Sequence, residues 1–216
     1  ERIDVLQNGH IRFTQAAALN DPFESQPCLV KFKTRQYDDL LTKAKETFGP
    51  DSEDVQSQLF RAVLVEYAAE NYQSILGHLF AMLCVSQVSD NLLMWSHYAE
   101  SHTGFVIGLD ANSTFFAPSD ANREGLKAVQ YSRVRVAMPP GGLRGLSDDE
   151  LAVANDHFFF TKSVDWAYER EMRMIAQPQK SDLTINTDGE LPKHLYKFPC
   201  ELVRQVIFGL KTPLHV

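Results

Sequence analysis

Short segments typical of β-strands constrain the fold of this chain most, and Ala81–Ser86 is apolar enough to be a central strand. They are Ala81–Ser86 (AMLCVS), residues 104–110 (GFVIGLD) and residues 202–209 (LVRQVIFG). Two further segments, residues 10–14 and 166–176, alternate apolar and polar side chains, and residues 127–132 are typical of an edge strand. The chain is therefore expected to build a β-sheet from strands that are far apart in sequence.

Helical patterns are interspersed among these strands. Helices are predicted at residues 1–8, 36–48, within 51–80, at 91–99 with Asp90 as the cap, and from the capping box at 147–150 to about 160. The order shows no regular β-α-β spacing, which favours an α+β fold: a mixed, mainly antiparallel sheet with flanking helices. No repeat, low-complexity tract or linker interrupts the sequence, so residues 1–216 are predicted to form a single domain.

Composition excludes several classes of protein. The 216 residues are 44% hydrophobic and 23% charged, as in globular proteins, and the formal net charge of -7 argues against nonspecific binding to nucleic acid or anionic lipid. No apolar run reaches transmembrane length, and the first residues show no secretory pattern. Three cysteines far apart in sequence suit reduced thiols. A cytoplasmic protein without membrane or nucleic-acid partners is expected.

Motifs for phosphate, metal and nucleophilic chemistry are missing from the sequence. It contains no Walker loop, no strand-linked G-x-G-x-x-G and no G-x-S-x-G. Residues 141–147 (GGLRGLS) could hold an anion, but the acidic residues that follow favour a flexible loop. Without C-x-x-C or H-E-x-x-H, no metal is expected. Cys84 lies within an apolar run, which suits an inert buried thiol.

The first candidate site lies in residues 91–110 (NLLMWSHYAESHTGFVIGLD), which combine Trp95, His97, Tyr98 and His102. The helix predicted here is apolar nearly all round, so it should be buried, and an unpaired polar group there would be costly. Two interpretations stay open: His97 is a core histidine with a protein partner, or Trp95, His97 and Tyr98 wall a ligand cleft. Both predict that His97 is mostly buried.

The second candidate is the segment 166–173 (WAYEREMR). On a strand, Glu169, Glu171 and Arg173 would share one face, and two carboxylates so close would raise each other's pKa unless a cation intervenes. Arg173 could be that cation. The segment is either a solvated face with a weak ion pair or a charge-stabilising group at a cleft. In the turn 20–23 (NDPF), Asn20 and Asp21 are predicted to cap backbone amides while Phe23 anchors the loop in the core.

These segments resemble a bacterial family known only as domain of unknown function 2971. Its members carry L-x-F-[ST]-x-x-x-x-x-N-D-P-F-[DE], then D-N-x-L-M-W-[SG]-H-Y-A-x-x-H-x-G-F, then W-x-Y-E-x-E-W-R. Residues 11–24, 90–105 and 166–173 are similar to these phrases, although Met172 stands where a tryptophan is usual. Members also open with a Tyr-rich strand that this sequence does not show. The resemblance implies no established activity.

A weaker likeness, of layout alone, connects the chain to ADP-ribosyltransferases, which bind NAD on a split mixed sheet. That likeness implies that Glu171 or Glu169 stabilises an oxocarbenium-like ribose, that Tyr98 or Trp95 stacks on nicotinamide or adenine, and that His97 contacts a ribose hydroxyl. His102 and Arg173 complete the candidate ligand-binding set. The first hypothesis is therefore an NAD-cleaving or ADP-ribosyltransferase-like enzyme, serving as a toxin or defence effector. The alternative is a non-catalytic module that binds a nucleotide or a peptide.

Overall fold

The computed structural model describes residues 4–21, 28–29, 42, 46, 79–118, 125–135, 137–138, 147–186 and 191–213. The helices predicted at 36–48 and 51–80 fall almost wholly outside these residues, as do Phe23 and the loop 141–146. Within the described part of the chain lie the helices α1 (Asp4–Asn8), α2 (Leu92–Tyr98) and α3 (Asp148–Phe160). None of the described helices is long and apolar enough to cross a membrane.

The described strands occur at or near most of the predicted positions. They are β1 (His10–Gln15), β2 (Cys28–Leu29), β3 (Ala81–Ser86), β4 (Phe105–Leu109), β5 (Lys127–Ala128), β6 (Gln130–Ser132), β7 (Ala137–Met138), β8 (Thr161–Ser163), β9 (Glu171–Ala176), β10 (Leu183–Ile185), β11 (Lys193–Lys197) and β12 (Val203–Phe208).

Six strands form the main sheet in the order β10-β11-β1-β3-β9-β5, and every neighbouring pair is antiparallel. β4 and β12 form a separate antiparallel pair, whereas β2–β7 and β6–β8 are parallel pairs. The predicted α+β class with a mainly antiparallel sheet is confirmed; the parallel pairing among the described strands lies outside the six-stranded sheet. The predicted central position of Ala81–Ser86 is confirmed too, because β3 lies between β1 and β9.

The pairing of β3 with β9 decides which side chains share a face of the sheet. Side chains directly opposite in an antiparallel pair lie on the same side. Leu83 therefore shares one face with its partner Met174, where they join an apolar core around Phe13. The other face carries Cys84 opposite Arg173. One face of the sheet is thus an ordinary core, and the second combines apolar packing with charge.

Aromatic side chains pack against both faces of the main sheet. Phe13 is fully buried, and its ring centroid lies 4.3 Å from that of Tyr196. On the second face the aromatic end of α3, Phe158, Phe159 and Phe160, packs around Met82 and Ile175. Truncating a ring of this kind, as in Phe13→Ala, typically costs about 3–5 kcal/mol.

Two predicted boundaries were wrong. Residues 166–170 are not a strand: Val164–Glu169 form a 3-10 helix, with Ser163 Oγ accepting from the amide of Asp165 at 3.3 Å. Arg170 then takes a left-handed conformation (φ 44°, ψ 51°) before β9 begins. The cap of α2 is Asn91 rather than Asp90, because Asn91 Oδ1 accepts from the amides of Leu93 and Met94 at 2.9 and 3.3 Å.

Candidate functional site

A buried ammonium group lies at the centre of the site. Lys162 Nζ donates to Glu169 Oε2 at 2.6 Å and to Glu171 Oε2 at 3.1 Å. All three side chains are at least nine-tenths buried. Sequence reasoning did not select Lys162, although it is a lone lysine in an aromatic segment (FFFTKSVDW) just before the two glutamates.

Arg173 holds Glu171 from the other side. Its Nε donates to Glu171 Oε1 at 2.7 Å and its Nη2 to Oε2 at 2.9 Å, a bidentate pair. Arg173 is fully buried, and its Nη1 donates to the carbonyl of Phe159 in α3 at 2.5 Å. The predicted pairing of Arg173 with a carboxylate is confirmed, and the interpretation as a solvated face is wrong. We call Lys162, Glu169, Glu171 and Arg173 the ion cluster.

The helix α2 brings Tyr98 to this cluster. The Tyr98 hydroxyl donates to Glu169 Oε1 at 2.7 Å. Asn91 Nδ2, at the cap of α2, donates to the carbonyl of Tyr168 at 3.3 Å, and Ser86 Oγ at the end of β3 donates to the carbonyl of Glu169 at 2.6 Å. The two candidate segments of the sequence therefore meet in one site.

The left-handed backbone at Arg170 explains how both glutamates reach one lysine. Glu169 ends a 3-10 helix and Glu171 begins β9. The alternation of side chains along a continuous strand therefore does not determine where the two glutamates point. The turn at Arg170 is fixed by Gln87, whose amide donates to the Arg170 carbonyl at 3.1 Å. A left-handed residue other than glycine is uncommon and is found where surrounding contacts enforce it.

Charges within the cluster balance the cost of burial. Burial by itself lowers the pKa of Lys162, but the charges of Glu171 and Glu169 and their hydrogen bonds outweigh it, so the pKa is raised. Burial raises the pKa of Glu171, against the opposing effect of Lys162. Burial also lowers the pKa of Arg173 to about 9, which leaves it charged at neutral pH. Lys162 and Arg173 are therefore both cations in the folded protein at pH 7.

Asn20 and Asp21 belong to the same neighbourhood. Asp21 is buried, and its charge raises the pKa of Arg173 against the effect of burial. A hydrogen bond from Asn20 lowers the pKa of Tyr98, whereas burial and the bond to Glu169 raise it more strongly, so the hydroxyl stays protonated at neutral pH. The predicted capping of local amides by these two side chains remains a prediction, since residues 22–27 lie outside the described part of the chain.

Two further side chains at the site were not selected from the sequence. Cys84 was predicted to be an inert buried thiol; the residue keeps exposed surface, whereas its thiol group lies against Glu171. Burial, followed by the charge and hydrogen bond of Glu171, raises its thiol pKa. Tyr131 of β6 accepts from the Glu171 amide through its hydroxyl, at 2.8 Å. Periodicity in the sequence could not have placed either, because both depend on pairing between distant strands.

The remaining candidate residues divide between core and surface. Trp95 is buried, as predicted, and its Nε1 donates to the carbonyl of Ser89 at 2.8 Å. His102 stacks on Trp95 with an 8° angle between the rings, and its Nε2 lies 3.2 Å from Ser96 Oγ. The prediction that His97 is mostly buried was wrong, because its side of α2 faces outward. The exposure of His97 removes both interpretations of this residue, as a core histidine and as part of a cleft wall with Trp95 and Tyr98, because each required it to be mostly buried.

Outside the cluster, His97 belongs to a group of partly exposed rings. Its ring centroid lies 6.2 Å from that of Trp166, which lies 6.0 Å from that of Tyr168. Lys162 Nζ lies 4.9 Å from the centroid of Trp166, so Trp166 is adjacent to the cluster. We call His97, Trp166 and Tyr168 the aromatic face.

Comparison with known proteins gives one family. Residues 94–174 match the model of a family described as Protein of unknown function (DUF2971). This segment of the chain is similar to that family. It contains Tyr98 and all four residues of the ion cluster, so the centre of the site lies within the matched part of the chain. No curated protein and no solved structure gives a significant match.

The matched segment offers acid–base and charge-stabilising groups. Among the described residues, no group of three or more His, Cys, Asp or Glu side chains is placed to hold a metal ion. The glutamates are bound instead by an ammonium group, a guanidinium group and a phenol. A buried ionic network assembled from separate segments is costly to form, and strongly perturbed pKa values are concentrated at functional sites.

Proposed function

We propose that the chain is an enzyme that cleaves a nucleotide, with NAD as the substrate to test first, and that Glu169 is the reacting carboxylate. The observation that carries the proposal is the meeting of Tyr98 with two buried carboxylates around Lys162. Carboxylates held in such a site can stabilise the positive charge that develops on a ribose as a glycosidic bond breaks.

The contacts of the two glutamates favour Glu169 over Glu171 for this role. Both oxygens of Glu171 accept from Arg173, and one also accepts from Lys162. Glu169 Oε1 accepts only a neutral phenol in the described contacts, and Tyr98 is half-buried. A substrate hydroxyl or a cationic ribose can replace a phenol at less cost than a bidentate guanidinium. Glu171 and Arg173 would then position Lys162, which in turn holds Glu169.

The test is nicotinamide release from NAD by the purified protein, followed by chromatography. Glu169→Gln keeps the shape but removes the charge, and such a loss typically lowers the rate by a factor of about 100–1,000. Glu201→Gln, at an exposed position of a 3-10 helix, is the matched control and should leave the rate unchanged. The proposal fails if the wild-type protein releases no nicotinamide under conditions in which it is folded and binds NAD.

A second candidate is a non-catalytic module that binds a nucleotide or a peptide. The observation that favours it is that every carboxylate oxygen of Glu169 and Glu171 already has a hydrogen-bond partner. Calorimetry separates the two candidates, because a module would bind NAD or ADP-ribose without turnover. An effector role would be supported by growth arrest on expression that Glu169→Gln relieves.

A further inference from the structure

The turn that follows α2 has an unusual backbone. Glu100, Ser101 and His102 take left-handed conformations in succession, with φ angles of 48°, 54° and 73°. Residues other than glycine seldom adopt this region, and each one that does so costs free energy. Such conformations persist where surrounding contacts enforce them, and they are concentrated at functional sites. Tyr98, which donates to Glu169, lies just before this turn.

Backbone hydrogen bonds tie the left-handed turn to α2. The amide of His102 donates to the carbonyl of Trp95 at 3.3 Å, and the amide of Gly104 donates to that of Ala99 at 2.9 Å. The His102 ring also stacks on Trp95. Ala99 is buried and follows Tyr98 directly, so these contacts fix the end of the helix that carries the Tyr98 hydroxyl.

The segment that follows β12 holds the other side of the turn. The amide of Lys211 donates to the carbonyl of His102 at 3.0 Å. The carbonyl of Gly104 accepts from the amide of Gly209 and from Thr212 Oγ1, both at 2.9 Å. A Cβ atom at Gly209 would come far inside contact distance of the His102 carbonyl oxygen, so a larger residue would push the two segments apart.

We propose that Gly209 is a positioning residue for the ion cluster: it lets the segment after β12 hold the left-handed turn, and the turn keeps the Tyr98 hydroxyl on Glu169. This inference rests on the proposed function, in which Glu169 is the reacting carboxylate, and it adds the element that orients that carboxylate. Glu169 Oε2 accepts from the buried Lys162, whereas Oε1 accepts from Tyr98, which a different part of the chain supplies. The position of α2 therefore decides how Oε1 is held.

The test is the titration of Tyr98 in Gly209→Ala. Isotope-labelled tyrosine makes ionisation of each hydroxyl visible by NMR, and Tyr98→Phe assigns the signal. Burial and the bond to Glu169 raise the pKa of Tyr98, so it should stay protonated in the wild-type protein at about pH 11, where an ordinary tyrosine is ionised. In Gly209→Ala the pKa should fall towards the ordinary value, because the hydroxyl loses its contact with a buried carboxylate.

The rate of NAD cleavage should fall in the same variant. Misplacing a group at a reacting centre by about 1 Å can slow a reaction about a hundredfold, so a loss of this order is expected in Gly209→Ala.

Gly108→Ala is the matched control. Gly108 lies in β4 of the same strand pair, and a Cβ atom there would meet the exposed side chain of Gln205, which can rotate away. This variant should leave the pKa of Tyr98 unchanged. Thr212→Val, which removes one hydrogen bond to the turn and keeps the shape, should lower the pKa by less than Gly209→Ala does, and it serves if Gly209→Ala fails to fold.

The outcomes separate this inference from the proposed function. If Tyr98 titrates at lower pH in Gly209→Ala but the wild-type protein does not cleave NAD, Gly209 positions Tyr98 and the enzyme proposal fails. If NAD is cleaved but Tyr98 titrates alike in the wild-type protein, Gly209→Ala and Thr212→Val, the enzyme proposal stands and the role of Gly209 is wrong. An equal shift in Gly108→Ala also overturns the inference, because any disturbance of the strand pair would then have the same effect.

Discussion

Lys162 Nζ lies 2.6 Å from Glu169 Oε2, with both side chains buried, and this contact ties β8 to the end of the 3-10 helix Val164–Glu169. The same ammonium group reaches Glu171 in β9. One lysine thus fixes the relative position of two carboxylates that the strand periodicity does not align. Its loss should have consequences for stability as well as for ligand binding.

Replacing Lys162 by methionine should lower the free energy of unfolding by about 3–5 kcal/mol, because two buried carboxylates then lose their shared cation. Urea denaturation followed by circular dichroism measures this change. Lys127→Met is the matched control, since Lys127 pairs with Asp156 at the exposed surface, 3.1 Å apart, and such pairs contribute less than about 1 kcal/mol. Equal losses of unfolding free energy in the two variants would show that Lys162 stabilises the protein no more than a lysine in a surface pair does.

Substituting Glu171 should change the reactivity of a different side chain. The charge and hydrogen bond of Glu171 add to burial in raising the pKa of the Cys84 thiol, and only the thiolate attacks iodoacetamide. Glu171→Gln should therefore lower this pKa and accelerate alkylation of Cys84 at pH 8, by about tenfold for each pKa unit. Peptide mass spectrometry measures the rate, with the exposed Cys200 as the internal reference.

An unchanged ratio of the Cys84 and Cys200 rates would contradict this coupling. Lys162→Met gives the opposite test, because Lys162 lowers the pKa of the thiol. Alkylation of Cys84 should slow in that variant, provided that circular dichroism shows it to be folded.

The charge of Asp21 should contribute to the stability of the folded protein. Asp21 is buried, and its charge raises the pKa of Arg173, which burial lowers. Asp21→Asn is expected to lower the free energy of unfolding by about 2 kcal/mol, the usual range for interactions with a buried charged group, rather than the roughly 1 kcal/mol of a lost cap. Asp156→Asn at the surface is the control for urea denaturation. A loss no greater than that of the control would leave Asp21 without a role in balancing Arg173.

Much of the fold could be predicted from the sequence because it depends on local pattern. The apolar run Ala81–Ser86 is one of the two middle strands of the sheet, and the capping box predicted before α3 is followed by a helix that ends at Phe160. In contrast, residues 166–170 alternate like a strand but turn through a 3-10 helix and the left-handed Arg170. Contacts with Ser86 and Gln87, distant in sequence, hold that turn, and periodicity carries no information about them.

The site was predicted only in part, for a related reason. Glu169, Glu171, Arg173 and Tyr98 stood out as unusual residues in aromatic segments, and the structure brings them together. Lys162 did not stand out, since a lysine in sequence is by default an exposed one. His97 was placed on the wrong side because α2 is apolar all round in sequence, yet Leu92 and Leu93 are exposed along with it. Apolar residues alone do not say which face of a short helix is buried.

The stability of the protein should fall as the pH rises above about 10, and Tyr98 should account for part of the fall. Burial and the bond to Glu169 raise the pKa of Tyr98, so the folded protein keeps a proton that the unfolded chain releases near pH 10. Since the folded state then binds more protons, its stability decreases with pH, by up to about 1.4 kcal/mol per unit for one group. Lys162, whose pKa is also raised, likewise makes stability fall as the pH rises. Arg173, whose pKa is lowered to about 9, has the opposite effect and makes stability rise with pH above about pH 9.

Tyr98→Phe should therefore make the free energy of unfolding depend less steeply on pH between pH 10 and 12, as measured by urea denaturation at successive pH values. Parallel curves for the variant and the wild-type protein would show that the Tyr98 hydroxyl titrates alike in both states, and the hydrogen bond to Glu169 would then have no measurable effect on its proton.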